Sequence, residues 1–435
     1  MMLRILFAAV MMGGMSAQVS AVEIQRWQTD EGSTITLVER HELPIVNMQL
    51  TFKGAGKIAD VKTDVATATA SSLVAGTAQY SEEALRDESN RLGINISGNA
   101  GVENAHIYLS SLSRSSTLQP AVALLNQVVA SPQFPRDVWQ REQQKAITAL
   151  KQQESSPAFV GSRALNIMNY GQHPYANGSR SSEATIRVVT PEDMATFHRQ
   201  HYAKNNAYIT IVGDVSRRQA EQLTAAALKG LPDKMAVNPA IPPVENRMGS
   251  VQDIPFAGKE QAVVLMGLPL IVRQDPDRFA LTVGNYILGE GGFDSRLMKT
   301  LRDEQGLVYG VSSDLTPFSE KGPFNIAFST QKGKADAALV ATQKVLADFI
   351  AQGPTEAELQ QAKDHIIGSF PLKFDTNAKV LLYAANVGIY HLPLDYLNTY
   401  TQGIQAVTVE QVKEVWQRRL NMQQINVVVV GKTQQ

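Results

Sequence analysis

Two stretches of the chain read alike: Thr190–Gly213, TPEDMATFHRQHYAKNNAYITIVG, and Thr408–Gly431, TVEQVKEVWQRRLNMQQINVVVVG. Each opens on a threonine that can cap a helix, with Asp193 or Gln411 three residues on. Pro191 suits the first helical turn. An amphipathic helix and a short connector follow in both. Each stretch then ends in an apolar strand, Tyr208–Val212 or Asn426–Val430, stopped by glycine. A constant offset of 218 aligns Met194 with Val412 and Tyr202 with Leu420, without an insertion. The match implies an internal duplication of a unit of roughly 200 residues.

Outward from these ends, the halves mix hairpins and helices. In the first half Ile35–Val38 and Ile45–Phe52 alternate as strands, and Ile94–Gly98 and Ala105–Ser111 follow. Helices are predicted over Thr63–Gly76, Ser81–Leu92, Thr117–Ala130 and Pro135–Gln153. In the second half strands are predicted over Ala262–Leu268, Leu307–Ser313 and Phe324–Thr330. Helices are predicted over Asp277–Leu288, Ser295–Glu304, Ala335–Ala351 and Thr355–Ser369, the last opening on the capping box Thr355-x-x-Glu358. Between the halves, residues 231–250 carry Pro232, Pro239, Pro242 and Pro243 and no periodic pattern, so they read as a linker. The predicted fold class is α+β: two homologous domains, 22–230 and 251–435, each a mostly antiparallel sheet with helices packed on one side.

Composition narrows the function. Of 435 residues, 44% are hydrophobic and 19% charged, enough apolar material for sizeable cores. Forty basic and 41 acidic residues leave a net charge of −1, which argues against nucleic-acid and polybasic membrane-surface binding. With no cysteine there are no disulfides, thiol nucleophiles, iron–sulfur clusters or cysteine zinc sites. Residues 1–21, MMLRILFAAVMMGGMSAQVSA, place Arg4 before an apolar run from Ile5 to Met12 and a small-residue cleavage site at Val19-Ser20-Ala21. That is the layout of a secretory signal peptide, so a periplasmic or secreted protein is expected. No stretch is apolar for long enough to span a bilayer.

Several short blocks resemble the insulinase/pitrilysin superfamily of zinc peptidases, in its compact two-domain bacterial form. They are Phe52-Lys-Gly-Ala-Gly56, Gly76-Thr77, His173-Pro174-Tyr175, Ile211-Val212-Gly213-Asp214, Gly289-Glu-Gly-Gly292 and Ser295-Arg296-Leu297. The most specific is Leu301-Arg302-x4-Leu307-Val308-Tyr309. Active members carry H-x-x-E-H on the first long helix, two histidines for zinc and a glutamate as general base. Aligned from Gly76-Thr77, the histidine positions here hold Thr67 and Ser71, and the glutamate position holds Ala70. The later glutamate ligand falls near Ala149, to within a residue or two. These side chains cannot replace two imidazoles and two carboxylates, so no metal is expected in this chain. His198 and His201 have H-x-x-H spacing but no glutamate between them, and they read as ordinary helix residues. His173 is expected to pack or hydrogen-bond in a loop. No G-x-S-x-G elbow is present, and Gly289–Gly292 is not a phosphate loop because no Gly-Lys-Ser/Thr follows.

What survives of the family's site is its substrate-polarising part. The resemblance implies that Arg302 and Tyr309 contact the scissile carbonyl, with Gly291 and Gly292 beside the substrate. A donor aimed at developing negative charge contributes about 3–4 kcal/mol to lowering a barrier. The implied role is a non-catalytic subunit of an exported heterodimeric zinc peptidase, acting on peptides bound extended along a sheet edge. The partner would carry H-x-x-E-H and the zinc. Two alternatives stay open at this point: a peptide-binding or scaffold subunit with no role in catalysis, and an enzyme acting alone through an unrecognised site.

Overall fold

The computed structural model describes residues 23–257 and 260–432, so the expected signal peptide, 1–21, lies outside the described residues. The first half contributes β1 (Gln25–Gln28), β2 (Thr34–Glu39), β3 (Ile45–Lys53), β4 (Asn95–Ala100), β5 (Asn104–Leu112) and β6 (Ala207–Gly213). The second contributes β7 (Val251–Ile254), β8 (Gln261–Ile271), β9 (Val308–Leu315), β10 (Gly322–Gln331) and β11 (Asn426–Val430). The sheets run β1-β2-β6-β3-β5-β4 and β7-β11-β8-β10-β9. With β1 set aside, the two orders are the same order. In each, the last strand of the half lies parallel to the first and antiparallel to the second. The hairpin β4–β5 or β9–β10 then extends the sheet antiparallel and leaves β4 or β9 at its edge.

The α+β fold with two duplicated units is therefore what the chain forms. The helices Pro191–His201 and Val409–Arg419 keep the 218-residue offset, and Thr190 and Thr408 both close capping boxes. Each half's own helices cover one face of its sheet. Alternation along the strands supplies that face. Met48, Leu50 and Phe52 of β3 join Ile209 and Ile211 of β6 in the first core. Val264, Met266 and Leu268 of β8 join Val427 and Val429 of β11 in the second. Trp416 is fully buried there, with Phe324 and Phe349 meeting it edge-on at 5.4 and 5.2 Å.

The other face of each sheet takes a helix from the opposite half. Helix Asn377–Ile389 lies on β2, β3 and β6. Its Val380, Leu381, Ala384 and Val387 share a buried cluster with Ile24, Val38 and Val212. Helix Pro157–Tyr170 lies on β8 and β11, where Leu165 meets Leu265, Val428 and Val430. Both helices approach closely through a glycine: a Cβ at Gly161 would collide with Leu265, and one at Gly388 with Thr36. Sequence periodicity predicts neither helix. Among the described residues no helix is long and apolar enough to cross a membrane.

A buried carboxylate ties the halves together. Glu103, 6% exposed, sits in the β4–β5 turn. One of its oxygens accepts hydrogen bonds from the Tyr175 hydroxyl (2.5 Å) and the Ser319 N–H (2.8 Å). The other accepts from the hydroxyls of Ser319 and Tyr390, both at 3.1 Å. Arg26 adds a second tie, donating to the carbonyls of Val387 and Leu392 at 2.8 Å at the end of the exchanged helix. Glu103→Ala takes the acceptor from three hydroxyls and a backbone N–H, and is expected to lower unfolding stability by about 3 kcal/mol. Urea denaturation checks this; an unchanged midpoint would show that the tie is idle.

Candidate functional site

Helix Val65–Ser72 carries Thr67, Ala70 and Ser71, the positions at which the resemblance would place a metal motif. Its N-terminus is held by Asp60, whose carboxylate accepts from the N–H groups of Ala66 (2.8 Å) and Asp64 (3.2 Å). Burial raises the Asp60 carboxyl to about 7, against the lowering pull of those bonds. Thr67 and Ser71 lie one turn apart on one face. They open into a cavity of about 600 Å3 whose opposite wall is helix Arg136–Glu154. That wall presents Glu142, Ala146, Ala149 and Gln153. The structure thus brings Thr67, Ser71 and Ala149 to one cavity. Ala70 is not among its walls; it is fully buried in the first core.

The donor set does not suit zinc. Ser71 spends its hydroxyl on the Thr67 carbonyl at 2.9 Å. Glu82 is paired with Arg141 at 2.6 Å, and Glu142 with Lys145 at 2.8 Å and Arg141 at 3.1 Å. Among the described residues there is no group of three or more His, Cys, Asp or Glu able to hold a metal. His198 and His201 are buried packing residues. His198 Nε2 lies 2.8 Å from the Val129 carbonyl, and its ring stacks on Tyr202 at 4.8 Å. The His201 ring packs on Phe197 at 4.4 Å. His173 caps the short helix Pro174–Arg180 through the Tyr175 N–H, and its other ring nitrogen lies 2.8 Å from the Pro242 carbonyl. The trio Ser113, Asp214 and His41 has the carboxylate in the middle, at 2.6 Å from the serine and 2.7 Å from the histidine. No imidazole in it can take the serine's proton, so it is not a nucleophile triad.

Arg302 and Tyr309 lie in the second half, and no residue of that half lines the cavity. Arg302 sits in a widened helical turn, Lys299–Glu304. The chain reverses at Gly306, φ +57°, and the Leu307 N–H donates to the Leu301 carbonyl at 2.7 Å. That closure delivers the chain straight into β9, a free sheet edge. Tyr309 occupies a bulge there, between the paired residues Val308 and Gly310, and is 69% exposed. A bulge re-aims a side chain away from the regular pleat. Arg302 is 40% exposed and its nearest acid, Asp303, is 3.9 Å away. Its guanidinium lies instead over the ring of Phe293 at 4.7 Å. Phe293, 67% exposed, is a neighbour that sequence reasoning missed, since a lone aromatic after glycines carries no periodic signal. It follows Gly291 and Gly292. The latter needs glycine for its φ of +60°, and a Cβ at Gly291 would meet the Tyr286 ring at 2.9 Å.

The adjoining Ser295-Arg296-Leu297 block is structural. Ser295 caps the turn through the Met298 N–H. Arg296 grips Glu358 with two bonds of 2.7 Å. Burial alone would raise that carboxyl, but the Arg296 bonds outweigh it and hold the group down at about 2.

Comparison with known proteins now gives this geometry its context. A family model described as "Insulinase (Peptidase family M16)" matches residues 72–180, and one described as "Peptidase M16 inactive domain" matches residues 189–366. A solved peptidase M16 inactive domain from Pseudomonas fluorescens is 34% identical, with a TM-score of 0.90 over 95% of this chain and 99% of that one. The protein called "Non-peptidase homolog YmxG" in Helicobacter pylori is 24% identical over 396 residues, 90% of each chain. The periplasmic protease PqqL from Escherichia coli shares the fold at a TM-score of 0.78 and 19% identity, over 94% of this chain and 45% of that one. This chain belongs to the insulinase family of peptidases, M16.

Two measurements check the site. Chain purified from zinc-containing medium is expected to hold well under one zinc per molecule by mass spectrometry of its metals; a tightly held equivalent would contradict the donor set. Burial lowers the pKa of both His106 and His198 to about 4. As pH falls from 6.5 toward 4, the unfolded chain takes up protons that the folded chain refuses, so their contribution to stability is full above 6.5 and lost across that window. His198→Gln keeps a donor for the Val129 carbonyl and removes its share, about 2 kcal/mol by pH 5. The urea midpoint should then depend less steeply on pH between 7.5 and 5; an unaltered dependence would rule out the buried neutral histidine.

Proposed function

We propose that this chain is the non-catalytic subunit of an exported heterodimeric zinc peptidase. It lends Arg302 and Tyr309 to a zinc site carried by a partner with H-x-x-E-H. The carrying observation is that a phenol stands exposed on a free sheet edge and a guanidinium in the helical turn that leads into it, while the cavity in the same chain is lined by neither. Donors of this kind act where negative charge develops on a scissile carbonyl. An arginine locked in a bidentate ion pair, as Arg296 is, has no such freedom. Gly291 and Gly292 precede Phe293, the ring under Arg302; Gly292 faces open space, and the unpaired edge of β9 can accept an extended peptide.

Pairing is supported by length as well as by the split site. This chain spans 45% of the periplasmic protease PqqL, so that longer protein has room for two units of this size. Two separate chains can make the same four-domain assembly. Export rests on the signal-like residues 1–21 and on the periplasmic location stated for that structural neighbour.

The test is co-expression with the zinc-carrying insulinase-like protein encoded nearest to it, followed by a peptidase assay on unstructured peptides. Arg302→Ala is expected to leave assembly intact and lower kcat by about 10²–10³. Tyr309→Phe, which keeps the ring and removes the hydroxyl, should also reduce kcat. Unchanged rates in both variants would leave a scaffold in place of a catalytic helper.

A further inference from the structure

Arg302 carries most of the proposed function, yet its place in the chain gives it little to hold. It lies in the turn Lys299–Glu304, and the residues three to five positions away on either side are Leu297, Met298, Lys299, Gln305, Gly306 and Leu307. None is acidic, so no carboxylate faces Arg302 at helical spacing. Asp303, the next residue, stands at 3.9 Å, beyond hydrogen-bond reach. An exposed arginine left this way spreads over many rotamers, and gathering them into one costs entropy. What Arg302 has is a ring: its guanidinium carbon lies 4.7 Å from the centre of Phe293.

Phe293 has a fixed backbone and a side chain that takes no part in the core. The Gly291 N–H donates to the Tyr286 carbonyl at 2.9 Å. The Asp294 and Ser295 N–H groups donate to the carbonyls of Gly291 (3.3 Å) and Gly292 (3.0 Å). Buried Ser295 adds its hydroxyl to the Gly292 carbonyl at 2.7 Å. Phe293 itself is 67% exposed and stands outside the second core. A pinned backbone presenting a ring to solvent makes a platform, not a packing contact.

The kind of contact matters. A carboxylate fixes an arginine by taking N–H donors. Glu358 does this to Arg296, although that guanidinium also lies over a ring, Phe349 at 5.2 Å. A ring alone fixes an arginine through the flat face of the guanidinium and takes none of its five N–H donors. Arg302 is thus oriented with its fork free, the state in which it can meet an oxygen gaining negative charge.

We propose that Phe293 is the positioning residue for Arg302, and that its aromatic face, not its bulk, sets the direction of the guanidinium. Phe293 acts through Arg302 and does not touch the reacting atoms. The catalytic consequence rests on the paired-peptidase reading above; the stacking belongs to the lone chain.

Two measurements test the assignment. The first uses the purified chain alone. In a nitrogen–proton spectrum of the arginine side chains, the Arg302 Nε–H signal, identified by its loss in Arg302→Lys, should lie upfield because of the ring current. Phe293→Leu should return it to the position of a free arginine, and Phe293→Tyr should leave it shifted. The second uses the chain co-expressed with the zinc-carrying insulinase-like protein. Phe293→Leu should lower kcat about tenfold and change KM by less than about twofold. Phe293→Tyr, which restores the ring, should recover most of the rate. In an Arg302→Ala background, Phe293→Leu should cost nothing further, because the two residues act as one unit. An unshifted Arg302 signal in the wild type, a Leu variant as fast as wild type, a Tyr variant as slow as Leu, or losses that add would each overturn the proposal. If Arg302→Ala slows the enzyme and Phe293→Leu does not, the positioning role alone falls. If Arg302→Ala leaves the rate unchanged, the paired-peptidase reading falls and takes the positioning role with it.

Discussion

Each sheet needs a second apolar cover, and neither half supplies its own. A sheet with helices on one face leaves the other face to water unless another layer arrives. Here the layer comes from across the duplication. Helix Pro157–Tyr170 seals β8 and β11, and helix Asn377–Ile389 seals β2, β3 and β6. The exchange makes the central strands buried on both faces. In β11, Val427 and Val429 enter one cluster while Val428 and Val430 enter another. A strand of that kind reads as a continuous apolar run, NVVVV, with no alternation. Burying each large aliphatic side chain in such a cover stabilises by about 1.5–3 kcal/mol, so separating the halves would forfeit many such increments. The halves therefore behave as one unit despite the linker between them.

That rigidity places the chemistry. The cavity belongs wholly to the first half and the exposed arginine and tyrosine to the second. With each helix seated on the other half's sheet, the cavity and the exposed pair sit in separate halves of one packed unit. The cavity's shortage of metal-ligating side chains is likewise local. Four short side chains stand in the cavity, and the nearby glutamates are committed to Arg141 and Lys145. Returning a single histidine would leave the remaining ligands missing.

The arginines of the second half separate by environment. Arg296 is held by Glu358 and the Gly353 carbonyl. Arg419 is held by Asp275, Asp277 and the Leu270 carbonyl. Both are structural clamps, mostly buried and held by bidentate bonds to carboxylates. Arg302 rests on an exposed ring, with its nearest carboxylate at 3.9 Å. A guanidinium with spare donors can bind something else, and one whose fork is filled cannot.

Much of this was legible in the residues. The 218-residue offset survives as matched capping boxes, helices and strands, because caps and apolar periods are local signals. The absence of metal ligands at Thr67 and Ser71 was legible for the same reason, since side-chain chemistry does not depend on packing. The exchanged helices were not legible. Their apolar surfaces serve two layers at once, so the period that marks a one-faced helix is blurred, and the sheet each one covers lies more than a hundred residues away. Nor could local pattern place Phe293 under Arg302, join Glu103 to Tyr390, or set Ala149 opposite Ser71. The amino-acid order by itself determined the capped helices and apolar strands that recur at the 218-residue offset, and that no H-x-x-E-H motif is present. Which half covers which sheet, and which charged groups stay free, only the tertiary structure decided, because both depend on contacts between segments with no relation along the chain.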